Sequence, residues 1–572
     1  MKTIYKYVVI VFCCLVVLVS CTNDNEEDNL PPKISFDSAE PIYTVKVGKV
    51  LTITPTISNA GNDAVYTWKI DGKIVSRESS LTYQSDEIGS KFTVFQVITG
   101  YGTDEKELRI DVLSLLAPEI VMAVPEGGYS VIVEGDLKFE PEVENSENAK
   151  FSWEVNGDEK SNQKDYTFSS AQAGEYNVTF IAKNDDGEDI LQFKVKVCTS
   201  DEMPFEWMWE QEVFNISVGR TAFIRSYWIK NAFDAKYTWK VDDNIVQEGK
   251  DCLYAFKPTA QGTYSVTVTM KNKYIEQFKT FTVNACPPEG TFRRSSTGVA
   301  NADHGYFFLP APAQHVNRGS SPTPFSNQEE VNAYFYINPG LREYGGSIGA
   351  WGGTLIVGFD HSVANSGDYD LEIEGNAFKG WSEPGIVWVM QDENGDGQPN
   401  DTWYELKGSE YGKKGYIQDY AVTYFRGANR KPIAWIDNQG KSGTIDYIHE
   451  HTPPTLYPRW LNSESYTIVG SRLPDIVQEV TPGYWETISF EWGYVDNWST
   501  IDMLSNSENP NASFAGNHMR ISDAVTYDGK PANLQYIDFV KIQTGVNGKA
   551  GWLGEVSTEV GGIRDFNIVR NQ

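Results

Sequence analysis

Positive charge is scarce in this chain of 572 residues: 48 Lys and Arg stand against 78 Asp and Glu, a formal net charge of −30. A polyphosphate would be repelled over most of such a surface, which excludes nucleic acid as a partner. Cysteine is sparse as well. Of the six, Cys13, Cys14 and Cys21 lie within the first 21 residues, leaving Cys198, Cys252 and Cys286, an odd number that cannot all pair. One bridge, such as Cys252 with Cys286, is allowed, but a disulfide framework is not. The N-terminal apolar run, Val8 to Val19, holds twelve residues and falls short of the roughly 20 needed to span a bilayer. No nucleophile elbow, Walker loop, HExxH or Rossmann fingerprint occurs. The paired carboxylates Glu372 and Glu374 alternate in a strand and read as a solvated face. Nothing here argues for catalysis, and we read a non-enzyme.

Lys2 and Lys6 followed by the apolar run have the form of an export signal over residues 1–20. Its end, "LVSC" at 18–21, resembles the bacterial lipobox, which implies that Cys21 is acylated and that the protein is held on a membrane by lipid chains alone. Loss of the signal removes two Lys, leaving 46 basic against 78 acidic side chains and a net charge of about −32. The tether over 21–32, "TNDNEEDN" behind the Cys, is too polar to pack. It resembles the acidic export tag of surface lipoproteins of Bacteroidota-type outer membranes, which implies display outside the cell.

Self-comparison then organises half of the chain. "YTWKIDGKIVS" at 66–76, "FSWEVNGDEKS" at 151–161 and "YTWKVDDNIVQ" at 237–247 are versions of one segment, with Trp68, Trp153 and Trp239 lying 85 and 86 residues apart. Each is followed by a second shared element, such as "QGTYSVTVTMKN" from Gln261, in which apolar and polar residues alternate with period two. Short strands, close turns and a central Trp predict Ig-like sandwiches over 33–115, 116–199 and 200–286. They resemble PKD-like and Ig-like modules, with the three Trp as packing residues. Most simply they form a spacer, although "FEWMWE" at 205–210 and Tyr227–Trp228 make the third unusually aromatic.

"PPEGTFRRSS" after Cys286 reads as a linker, 287–300, and from 301 to 572 the composition changes: all six His and ten of the sixteen Trp are there. Helical periodicity is hardly visible. Runs such as "GTLIVGFD", "GIVWVMQD", "YAVTYFR", "TISFEWGYVD" and "YIDFVKIQTG" predict strands of one large β-sandwich of jelly-roll type, giving an all-β protein. Within it, Asp392, Asn394, Asp396 and Gln398 alternate around Gly397, with Asp401 close behind, the density of oxygens a calcium loop needs. Position 12 is Trp403 and not Glu, so an EF-hand is excluded. A structural calcium ion or a plain Asn/Asp/Gly hairpin both remain open. His449 and His451 share a strand face that would suit zinc but lack a third ligand, and read as surface residues. Trp351, Trp381, Trp435, Trp460, Trp485, Trp498 and Trp552 sit mostly beside Gly, Pro, Asn or Ser and offer flat faces to a ligand, whereas Trp388 and Trp492 alternate with apolar partners and read as core.

The block "GGSIGAWGGTLIVGFDHSVANSGDYDLEIEGNAFKGWSEPGIVWVMQDENGDGQPNDTWYELKGSE", with "PAPAQHVN" before it and "IDFVKIQTGVNGKAGWLGEVSTEV" near the end, resembles the C-terminal domain of surface lipoproteins associated with cobalamin uptake in gut Bacteroidota. The resemblance implies a non-catalytic protein that binds cobalamin or related corrinoids and passes them to an outer-membrane transporter. Such a ligand asks for aromatic planes and polar donors, for which Trp351, Trp381, Trp435, Trp460, Trp498, His315, His518 and Arg520 are the candidates. The alternative is a calcium-dependent glycan-binding lipoprotein.

Overall fold

The structure, a computed structural model, describes residues 30–38, 41–287, 290–317, 325–337, 346–448, 454–504 and 515–571. The signal, Cys21, nearly all of the tether, His449 and His451 lie outside them. Two compact units divide at Ala117 and Pro118. Among the described residues no helix is long and apolar enough to cross a membrane.

All three repeats fold as predicted, as all-β modules of one plan. In the first unit, a five-stranded sheet runs Ile42–Lys46, Gly102–Leu113, Gly89–Thr99, Val65–Ile70, Lys73–Ser76, with the first of these parallel to its neighbour. The second and third modules repeat this order within the other unit. Each repeated motif has a local task. Its Trp is fully buried, and in the first two modules the indole stacks on a Phe across the strand pair, Trp68 on Phe95 at 4.1 Å and Trp153 on Phe180 at 4.3 Å. Its turn is left-handed, through Asp71–Gly72, Asn156–Gly157 and Asp242–Asp243, as a tight hairpin with matched twist requires. The first turn residue also bonds the neighbouring strand: Asp71, Asn156 and Asp242 accept the N–H of Phe92, Asn177 and Ser265 at 3.1, 2.9 and 3.0 Å. Packing and register are therefore set by the same eleven residues.

In the third module Val268 stands opposite Trp239 in place of the Phe, and the extra aromatics fill the gap. Trp207 and Trp209 pack on this core, Trp209 4.6 Å from Phe281. Cys198, Cys252 and Cys286 are free thiols, and Trp207 Nε1 points at Cys252 Sγ at 3.3 Å, so the allowed bridge is not formed.

The C-terminal domain is built on a six-stranded antiparallel sheet in the order His304–Leu309, Thr354–Ala364, Tyr536–Thr544, Gly385–Met390, Trp403–Leu406, Ala524–Val525. Gly385–Met390 is buried at every position, as a central strand covered on both faces must be. A four-stranded sheet (Ser442–Ile445, Ile433–Asp437, Ile417–Phe425, Ser465–Arg472) and a three-stranded one (Ala515–Met519, Leu371–Gly375, Ile563–Asp565) complete the main layers. One expected strand is absent: "TISFEWGYVD" leaves the ladder after Thr487. Buried side chains satisfy its backbone instead, Asn497 accepting from Phe490 N and donating to Phe490 O at 2.8 and 3.0 Å. One unexpected helix, Gln328–Ile337, covers the edge strand with Val331 and Phe335. Its start is capped: Asn327 Oδ1 accepts Glu330 N–H at 3.0 Å, and Glu330 accepts Ser326 N–H at 2.9 Å.

The second and third modules do not stand apart as a spacer. Lys549 of the C-terminal domain pairs with Glu142 of the second module at 2.9 Å, and Lys431 pairs with Glu119. The expected linker is also bound down, since Arg293 pairs with Asp538 at 2.9 Å and the Gly290 backbone lies so close to the Asp392 carbonyl that a Cβ would meet it at 2.2 Å. Replacing Trp153 by Ala should cost about 3–5 kcal/mol, the usual range for emptying a large aromatic site. Chemical denaturation measures it, and a loss below about 1 kcal/mol would show that the indole is not the packing centre of its module.

Candidate functional site

A cleft of about 140 Å³ opens where the third module meets the six-stranded sheet. The sheet builds its floor. Lys541, Trp388 and Glu405 are register partners on three adjacent strands and so project to one side. Lys541 Nζ sits 4.7 Å from the Trp388 ring centroid and 5.1 Å from that of Trp403, and burial lowers its pKa. Glu405 accepts Ser471 Oγ–H at 2.6 Å and Tyr416 O–H at 2.8 Å, and burial raises it to about 7. The third module supplies the opposite wall with Glu210, Phe214 and Phe223. Arg225 closes one end: its Nε lies 2.9 Å from both oxygens of Asp419, its guanidinium 4.0 Å over Tyr527. Aromatic faces beside a few fixed donors and acceptors make a place for a ligand with flat apolar faces and polar edges.

None of the eight ligand residues expected from sequence lines this cleft. Trp351 and Trp460 are 0% and 6% exposed, a correction to the expectation of outward faces. Their loops lie under other layers, where Trp351 packs edge-on to Tyr420 at 4.6 Å and Trp460 Nε1 donates to Gln328 at 2.9 Å. Trp381, Trp435 and Trp498 are half-buried, as is His315. Trp435 covers Gly443 across its strand pair, and Trp381 Nε1 donates to Glu383 at 3.0 Å. His518 and Arg520 do come together, in a separate pocket of only about 30 Å³ with Tyr369 and Trp492; His518 is buried against Phe566 and Arg520 lies 4.3 Å over Tyr369. Trp388, read as core, is buried and yet edges the cleft. Glu372 is buried with Arg564 at 2.9 Å, not solvated.

The acidic loop docks the third module. Glu393 is buried, accepts the Ser217 N–H and faces Arg220 Nε at 3.8 Å, while Asn215 donates to Asn400 at 3.1 Å. Asp392 accepts Gly395 N–H and Gly397 N–H at 2.9 and 3.1 Å, and Asp396 accepts Gln398 N–H at 2.8 Å. Asn394 donates to Asp396 at 3.0 Å. These bonds tie the loop to its own turn, and Asp401 keeps one buried oxygen without a partner and is raised by burial to about 8. Among the described residues, the carboxylates that converge are three others, Glu383, Asp496 and Glu559, whose facing oxygens lie within 4.8 Å of one another. Sequence reasoning had no local signal for them.

Glu405 gives a pH test. A buried carboxyl raised from 4.5 to about 7 holds its proton in the folded chain where the unfolded chain has released it, so stability falls as pH rises through that window and the loss is complete above it. Glu405→Gln keeps an acceptor for Ser471 and Tyr416 without the charge. It should be more stable than the parent by up to about 3 kcal/mol at pH 8 and show no gain at pH 4. Urea unfolding at both pH values checks this, and equal stabilities at pH 8 would contradict it.

Comparison with known proteins bears on the modules. The model of the PKD-like domain family matches residues 31–99 and 117–184. No curated protein matches the chain. Solved structures that it resembles include an I-band fragment of titin (13% identity, 46% of this chain and 99% of that one, TM-score 0.22) and Sidekick-1 immunoglobulin domains 1–5 (14%, 45% and 59%, 0.23). Fibronectin(III)-like modules of CbhA from Clostridium thermocellum also match (14%, 31% and 98%, 0.18). The chain is an all-β protein with tandem PKD-like, Ig-like modules and further β-sheet layers behind them.

Proposed function

We propose that the protein is a non-catalytic lipoprotein, displayed on the outer membrane through acylated Cys21, that captures cobalamin or a related corrinoid and passes it to an outer-membrane transporter. The sequence resemblance supplies the ligand class. The observation that carries a binding role is the cleft itself: Lys541 between two indoles, with Phe223 and Arg225 of the third module opposite. Its volume of about 140 Å³ lies below the roughly 300–1,000 Å³ of a pocket that encloses a whole drug-sized ligand. A corrinoid would place one amide arm or ring edge inside and the rest across the mouth. That same small volume favours the second reading, a glycan-binding lipoprotein taking a single sugar ring.

Calorimetry on the full mature chain, whose third module forms one wall, separates the readings. We expect cyanocobalamin to bind and Trp403→Ala to weaken it at least tenfold. Binding of glycans without cobalamin would reverse the order, and binding of neither would overturn both.

The structural calcium ion belongs to the same proposal, supported by the buried Asp401 oxygen that lacks a partner. Asp392→Ala with Asp396→Ala should lower the calcium content of the purified protein by one equivalent. An unchanged content would leave the plain hairpin.

A further inference from the structure

Glu383, Asp496 and Glu559 come from three distant segments: the entry to strand Gly385–Met390, the coil that replaces the expected strand, and the approach to strand Ile563–Asp565. Two of them are held by hydrogen bonds. Glu383 accepts Ser557 N–H at 2.8 Å and Trp381 Nε1–H at 3.0 Å. Asp496 accepts Asn376 and Ala377 N–H at 2.7 and 2.8 Å on one oxygen and Glu559 N–H at 2.8 Å on the other. The three side chains are buried, at 6%, 0% and 7% exposure, and no described Lys, Arg or His forms an ion pair with any of them. Burial pushes all three above the usual carboxylate range, and repulsion from neighbouring carboxyls adds to this for Glu383 and Glu559.

Two sealed oxygens add a separate observation. Glu559 Oε2 is sealed from water with no donor, and Asn376 Oδ1, on a half-buried residue whose own N–H is held by Asp496, also lacks one. An acceptor without a donor in a dry interior is costly, and either a proton between carboxyls or a cation relieves it. A hard cation would relieve these oxygens together with the repulsion among buried carboxyls.

We propose that Glu383, Asp496 and Glu559, with Asn376 beside them, form a binding site for a hard divalent cation of the calcium class, distinct from the 392–401 loop. All donors are oxygens, which suits calcium or magnesium over softer metals. Calcium, which accepts an irregular shell of protein oxygens, suits donors that come from three separate segments. The ion ties the 376–383 loop, the 488–497 coil and the C-terminal strand into one unit, supplying cross-links where ladder hydrogen bonds are missing.

Metal analysis of the mature chain, after equilibration with calcium and removal of free ion, is the test. One equivalent should disappear in Glu559→Gln and stay in Asp392→Ala with Asp396→Ala. Terbium used in place of calcium avoids dependence on the folding of acid variants: emission sensitised through Trp381 should appear in the parent and fall at least fivefold in Trp381→Phe. Retention of all calcium by Glu559→Gln, or terbium emission indifferent to Trp381, would overturn the site. Glu559→Gln melting above the parent with calcium present would point to protons shared between carboxyls and would also overturn it. None of these readouts depends on cobalamin or glycan binding.

Discussion

Everything in the larger unit depends on a buried polar seam that holds the third module to the C-terminal domain. Glu393 is a charge taken almost wholly out of water, and its carboxylate is met by the Ser217 N–H and Arg220. Arg225 and Asp419 form a second, half-buried contact, doubled by Tyr527, which donates to Asp419 at 2.8 Å while lying under the guanidinium. Buried charges tolerate little displacement, because losing a partner leaves an uncompensated ion in a low dielectric. They therefore fix orientation even where they contribute little net stability. A cleft whose two walls come from different modules keeps its shape only because these contacts are rigid.

That constraint changes the meaning of the acidic stretch. Read alone, "DENGDGQPND" is a cluster of oxygens waiting for an ion. In the fold, its acids accept the main-chain N–H groups of their own turn and of the neighbouring module, so the same side chains serve as loop architecture and as docking surface.

How legible the molecule was follows from where each signal sits. The repeats could be read because the core Trp and the left-handed turn lie within eleven residues and do their work locally. The central strands could be read because burial on both faces leaves continuous apolar runs. Capping at Asn327 and Glu330 is local and is written in "SNQEEV". Trp351 and Trp460 misled because small or polar neighbours mark a loop but not whether another sheet covers it. The cleft floor needs three strands side by side, and Glu383, Asp496 and Glu559 are separated by 113 and 63 residues. No window of sequence contains such a set, and only the folded topology assembles it.

On the proposed binding role, loosening the contacts between the modules and the C-terminal domain should weaken ligand binding. A crystal structure of the mature chain grown with saturating cyanocobalamin tests the central claim most directly. The account predicts vitamin density over Lys541, Trp403 and Phe223 at the junction. Density confined to another surface, with the cleft unchanged and empty of ligand, would contradict it.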